Sequence, residues 1–358
     1  MALWMWVLLA AGGVSLAARL LGAPPLVVFA LSAAGIIPMA GLIGRATEDL
    51  AHHTGPKFGG LLNATFGNAA ELIIAGLALR EGLLPLVKAS ITGSIIGNSL
   101  FVMGTGVFIG GLRHGTQSFD AREASRNSTM MLIAVASLIL PATFAAVAPN
   151  ELAVEEVSVA VAVLLLIVYA AYVIYSLTPA GRVELDREIG THVDEEERAT
   201  WSRRAALLVL LAATLGTVVL AETLVATVEA ATHALGLSQF FVGLIVVPIV
   251  GNIAEHFSAV QLAAKNKMET ALAIAAGSST QIALLVGPLL VLLGLVAGHW
   301  LTLVFHPLEI VAVAVAASVF TIVSIDGETN WLEGVQLLVL YLMLAIVFYF
   351  LPMQVLAH

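Results

Sequence analysis

The chain has 358 residues, 60% of them hydrophobic and only 11% charged, with a mean hydropathy of +1.01. Soluble domains carry about a quarter charged residues, so a soluble globular protein is excluded and an all-α polytopic membrane protein is expected. A net charge of −9 argues against a nucleic-acid partner, and the absence of cysteine removes disulfides and thiolate chemistry.

Eleven segments are expected to cross the bilayer: 3–22, 24–46, 58–80, 86–111, 127–148, 152–177, 205–231, 238–264, 270–297, 302–325 and 331–352. Met1 to Ala18 ends in small residues as a signal peptide does, but lacks a basic start and is read as the first span. With a cytoplasmic N-terminus, the inner loops hold Arg45, Lys57, Arg113, Arg122, Arg126, Arg182, Arg187, Arg198, Arg203, Arg204, Lys265 and Lys267. The outer side holds only Arg19, Arg80 and Lys88. This positive-inside bias supports both the count and the orientation, and an odd count puts the C-terminus outside. One long hydrophilic connection divides the chain. The expected organisation is an extra first helix (1–22), a first five-helix repeat (23–177), an acidic cytoplasmic loop (178–204) and a second five-helix repeat (205–358). Seven acids fall within 184–197, a density that is ordinarily a solvated face.

Gly67-Asn68-Ala69-Ala70-Glu71 recurs 184 residues later as Gly251-Asn252-Ile253-Ala254-Glu255, and Gly93-Ser94 recurs at the same offset as Gly277-Ser278. The copies of the first motif lie in spans 3 and 8, five crossings apart, and so run in opposite directions. Such inverted-topology repeats place substrate sites near the membrane midplane in secondary transporters. A carboxylate in an apolar span is expensive and needs a partner or a water-filled path, and the basic residues within the spans, Arg19, Arg45, Arg80 and Lys88, all sit at span ends, leaving none deep in a span to neutralise either one. Asn and Glu three apart share a helix face, and the glycine before each Asn permits a break that frees main-chain oxygens.

Glu71 and Glu255 with the amide oxygens of Asn68 and Asn252 form a hard-cation ligand set. It suits Ca²⁺ better than Mg²⁺, which resists dehydration, and better than softer metals, which favour thiolate or imidazole. Ser94 and Asn98 in span 4, with Ser278 and Gln281 in span 9, are read as supporting groups, although runs of small residues also let helices pack closely. Asn98 and Gln281 do not share a register. His256 follows Glu255, whereas Leu72 follows Glu71. It either handles protons or is satisfied by a backbone carbonyl. His299 and His306, near a span end, are expected to be structural. Glu48, Glu222, Glu229 and Glu309 are secondary candidates, Glu222 being the most deeply placed along its span, and structural or interfacial roles stay open for all four.

These segments resemble a known family. Gly60 to Ile74 (Gly-Leu-Leu-Asn-Ala-Thr-Phe-Gly-Asn-Ala-Ala-Glu-Leu-Ile-Ile) is similar to the first signature repeat of the cation/proton exchangers, the Ca²⁺/H⁺ antiporters of bacteria, fungi and plants. Val242 to His256 is similar to the second, and the likeness extends to Ala46–Ala51, Gly277–Leu284 and Asp326–Gly334. The resemblance implies eleven helices in two inverted five-helix repeats behind an extra first helix. It implies a secondary transporter, not an enzyme, in a prokaryotic inner membrane. The transported ions would be Ca²⁺ and H⁺, with no cofactor, and oligomeric state is left open. By motif position it makes Glu71 and Glu255 the shared Ca²⁺ and H⁺ carriers, flanked by Asn68 and Asn252 and supported by His256, Ser94, Ser278 and Gln281. Spans 2 and 7 become the moving elements, and the acidic loop gains a second reading as a cation sensor. Sodium/calcium exchangers of the wider superfamily carry Ser and Pro before the signature Glu. This chain has Asn-Ala-Ala and Asn-Ile-Ala there, which favours protons as the counter-ion. A sodium/calcium-type exchanger is the main alternative, and a cation channel the weaker one.

An ordinary Glu, with a pKa near about 4.3, is almost proton-free at neutral pH. Exchange requires the pair to titrate closer to cytoplasmic pH, and burial and mutual repulsion both act in that direction. Arriving Ca²⁺ then expels the protons. Competition for one site suffices for antiport when the empty, doubly charged site is too costly to move between access states.

Overall fold

A computed structural model describes residues 3–54, 62, 65–176, 178 and 200–351; the acidic stretch 184–197 lies outside them. Almost all of what is described is helix: α1 (Leu3–Leu20), α2 (Pro25–Thr54), α3 (Ala69–Arg80), α4 (Leu84–His114), α5 (Ala121–Ala145), α6 (Glu151–Ser176), α7 (Arg203–Leu235), α8 (Gln239–Gly251), α9 (Ile253–Ala264), α10 (Met268–Ala297), α11 (Pro307–Val323) and α12 (Trp331–Tyr349). Among the described residues eight helices are long and apolar enough to cross a membrane, or nine if the bent pair α8 and α9 is one crossing. The chain is an integral membrane protein. Its lipid-facing surfaces stay apolar, as Leu164, Ile167 and Val168 on α6 and Leu207, Leu208 and Leu211 on α7 illustrate, while each helix satisfies its own backbone.

The described residues group into two compact units, and each draws on both halves of the sequence. One takes residues up to Ser90 and from Thr200 to Ala254; the other takes Ile91 to Thr178 and Glu255 to Leu351. In the first unit α7 lies along α2, α1 covers α2, and α3 and α8 pack against this pair. Its core includes Ile43, Ala46, Leu50, Ala69, Ala206, Leu210 and Ala213. The small side chains among them let the helices approach closely.

The predicted second span ends at 46, yet α2 continues to Thr54. The extension is anchored: the buried Asp49 carboxylate accepts the backbone N–H groups of Thr200 (2.9 Å) and Trp201 (3.0 Å). His53 Nε2 meets the Trp201 carbonyl at 2.7 Å, and the Arg45 guanidinium lies 5.5 Å from the Trp201 ring centroid. The chain entering α7 is thereby tied to the end of α2.

In the second unit α5 packs against α10 and α11, α6 against α10, and α12 against the later part of α4. A two-stranded antiparallel ribbon, β1 (Gln117–Ser118) with β2 (Glu328–Thr329), joins the turn after α4 to the turn before α12. The Gln117 side chain also donates to the Ala263 carbonyl (3.0 Å) and Asn266 Oδ1 (2.9 Å), holding the α9–α10 turn in the same place.

Candidate functional site

The two signature motifs fold alike. Asn68 stands at φ −102°, ψ 25° immediately before α3, and Asn252 at φ −89°, ψ 9° between α8 and α9. The helix axis turns by 63° at Asn252. Both asparagines thus occupy breaks, as the preceding glycines led us to expect. Each Asn stands just before its helix, and each Glu falls in the first turn that follows. A carboxylate there lies at the positive end of a half-helix, and i→i−4 pairing still reaches each asparagine, from Leu72 N–H to the Asn68 carbonyl at 3.1 Å and from Asn252 N–H to the Pro248 carbonyl at 2.9 Å.

In the first unit Glu71 is buried, as are Asn68 and Asn252. Gly251 lies directly against it: a Cβ on Gly251 would sit 3.1 Å from Glu71 Cγ and 3.2 Å from Cδ. The glycine of the second motif thus makes room for the carboxylate of the first. Asn252 Nδ2 donates to the Pro248 carbonyl at 3.1 Å, which fixes its amide orientation.

In the second unit Ser278 Oγ donates to Glu255 Oε2 across α9 and α10. This joins two residues of the second repeat that lie 23 positions apart in the chain. Ser94, Asn98 and Gln281 are all buried. Asn98 sits in a π-helical turn, Gly97–Val102, and Gln281 immediately precedes another, Ile282–Val286. The two widened turns occupy matching places in α4 and α10, and such turns recur at functional sites. His256 is buried, with its ring edge-on to Phe101 at 6.0 Å. Among the described residues neither ring nitrogen has a hydrogen-bond partner, so the expected alternative of a carbonyl-satisfied histidine is not met.

The secondary candidates separate. Glu222 is exposed and pairs with Arg80 at 3.6 Å, a contact that agrees with the structural or interfacial role left open for it. Glu48 and Glu229 are exposed as well. Glu309 is buried and accepts from Thr92 Oγ1 at 2.6 Å and from the His306 backbone N–H at 2.8 Å. His306 caps α11 through Nδ1, which accepts the Leu308 N–H. Asp49, which the sequence reading did not single out, is the other buried acid with a defined role.

Paired helix breaks, each followed by a first-turn glutamate in a polytopic α-helical fold, define a membrane transport protein of the broken-helix type. The sodium/calcium exchanger protein family matches residues 24–178 and 205–350, and the chain belongs to that family. It is 44% identical to the Ca²⁺/H⁺ antiporter of Synechocystis sp. over 97% of both chains. It is 40% identical to the Ca²⁺/H⁺ antiporter ChaA of Bacillus subtilis, over 97% of this chain and 99% of that one. The solved structure of native YfkE superposes with a TM-score of 0.84 at 38% identity, covering 97% of this chain and 100% of the other.

Replacing Ser278 with alanine removes the hydroxyl held by Glu255. The expected result is a rise of roughly tenfold in the Ca²⁺ concentration for half-maximal exchange, the scale of one hydrogen bond to a charged group. Ca²⁺ titration of proton-driven uptake in everted vesicles measures it.

Proposed function

We propose that this protein is a Ca²⁺/H⁺ antiporter that moves cytoplasmic Ca²⁺ outward across a bacterial inner membrane in exchange for external protons, by alternating access. The observation that carries the reading is the duplicated break: the same backbone conformation at Asn68 and Asn252, each followed by a glutamate in the next helical turn. The names of the relatives, two of them Ca²⁺/H⁺ antiporters, support the substrate pair.

In this reading Glu71 and Glu255 take Ca²⁺ and protons in turn, with Asn68 and Asn252 as neutral oxygen ligands. Carboxylate and amide oxygens are the donors a hard, flexible-coordination cation requires. Ser278 orients Glu255; Ser94, Asn98 and Gln281 support the path; and His256 takes part in proton handling beside Glu255. Adding α3 and α11 to the nine crossings gives eleven. The matching π-helical turns of α4 and α10 support an inverted five-plus-five layout with α1 outside it. The distribution of Lys and Arg supports a cytoplasmic 178–204 loop and N-terminus and an outside C-terminus.

The family's name keeps sodium in play as counter-ion, and one experiment separates the cases. In everted vesicles carrying the protein, Ca²⁺ is expected to dissipate an imposed pH gradient, with Mn²⁺, Mg²⁺ and Na⁺ run in parallel. Ca²⁺ uptake driven by a sodium gradient at fixed pH, with no proton movement, would replace this reading with sodium/calcium exchange.

A further inference from the structure

Glu309 is 1% exposed, and nothing in the exchange reading employs it. Both of its carboxylate oxygens accept: Oε1 from Thr92 Oγ1 at 2.6 Å, and Oε2 from the His306 backbone N–H at 2.8 Å. The second contact closes the first turn of α11, with Pro307 opening the helix and Glu309 completing a reciprocal cap with His306. The first contact does something a cap does not require. It reaches from α11 to α4, two residues before Ser94 and less than two turns before the widened turn that holds Asn98.

The 184-residue offset supplies an internal comparison. It carries Thr92 onto Ala276 and maps Glu309 back onto Ser125. Neither counterpart can rebuild a hydroxyl-to-carboxylate bond. Ala276 instead lines a small crevice with Asn127, Met130, Tyr172, Gly277 and Thr280. One of the two equivalent helix contacts is therefore fastened by a buried hydroxyl-to-carboxyl hydrogen bond, and the other lacks that bond.

We infer that Glu309 is a positioning residue for ion exchange: through Thr92 it holds the α4 turn that carries Ser94, and so tunes Ca²⁺ affinity on that side of the repeat alone. The inference rests on Ser94 lining the ion path. Both Glu309 carboxyl oxygens are engaged, one by Thr92 and one by the His306 N–H, so its influence passes through the α4 backbone.

Thr92→Val is nearly isosteric, removes only the donor, and leaves the His306 cap on Glu309 intact. Proton-driven Ca²⁺ uptake in everted vesicles should show the half-saturating Ca²⁺ concentration raised about tenfold, with the maximal rate within about twofold of the parent. Thr92→Ser, which keeps the hydroxyl, should restore the parent value, and Glu309→Gln should move in the same direction as Thr92→Val. If Glu309→Gln does not accumulate, the Thr92 pair decides. An unchanged half-saturation in Thr92→Val, a loss confined to maximal rate, or a Thr92→Ser protein as impaired as Thr92→Val would overturn the inference. Glu71→Gln and Glu255→Gln in the same vesicles keep the failures apart. If both are inactive while Thr92→Val behaves as the parent, only the positioning role falls; if both remain active, the site reading falls with it.

Discussion

Glu71→Gln and Glu255→Gln are each expected to abolish Ca²⁺-dependent proton exchange, to below about 1% of the parent rate, while the protein still inserts and folds. Glutamine preserves the volume of the side chain, so the close packing of Glu71 against Gly251 and the Ser278 contact to one oxygen of residue 255 can both survive. What disappears is the negative charge and the exchangeable proton. In a site of effective dielectric near 20, one charge about 2.4 Å from a divalent cation contributes on the order of 10 kcal/mol before desolvation. Even a small residue of that after desolvation amounts to more than a hundredfold in occupancy. Proton movement fails for a separate reason, because a neutral amide has no proton to release to arriving Ca²⁺. The check is uptake in everted vesicles alongside size-exclusion profiles of the purified variants. If both retain exchange driven by a pH gradient, the carriers lie elsewhere.

The site was legible wherever chemistry repeats in the sequence. Gly-Asn-x-x-Glu stands out because polar residues in apolar spans are rare, and glycine before asparagine permitted either a break or close packing, of which the backbone takes the break at both positions. Hydropathy located the helices, but it carries no angular information finer than a face. For Glu222, its place along a 33-residue helix gives depth but not the side it projects from, and on that side it meets Arg80.

Asp49 escaped notice for a different reason. It falls past the predicted end of span 2, and its partners are the backbone N–H groups of Thr200 and Trp201, which no side-chain pattern reveals. The π-helical turns at Gly97–Val102 and Ile282–Val286 are likewise silent, since a widened turn has the same apolar composition as a regular one. Their matching places became visible only from the backbone.

The largest effect on folding is expected where two helices touch through their backbones. On α12, a Cβ at Gly334 would come within 2.3 Å of the Phe108 backbone nitrogen and 2.8 Å of the Gly104 carbonyl on α4. On the facing surface, a Cβ at Gly111 would come within 2.4 Å of the Trp331 nitrogen. No rotamer change relieves such overlaps, because the obstacle is main chain in regular helix. Gly334→Val must therefore separate α12 from α4, surrendering the dispersion contacts of the whole seam and loosening the ribbon that links their ends. A destabilisation of about 3 kcal/mol or more follows from overpacking of this kind. It should appear as a lowered midpoint in thermal unfolding followed by size-exclusion chromatography, with most of the protein aggregated before the parent begins to unfold. Gly13→Ala is the matched control, since a Cβ there meets nothing within 4 Å, and it should leave the midpoint unchanged or raise it slightly through helix propensity. A parent-like midpoint for Gly334→Val would mean that α4 and α12 are not held backbone to backbone.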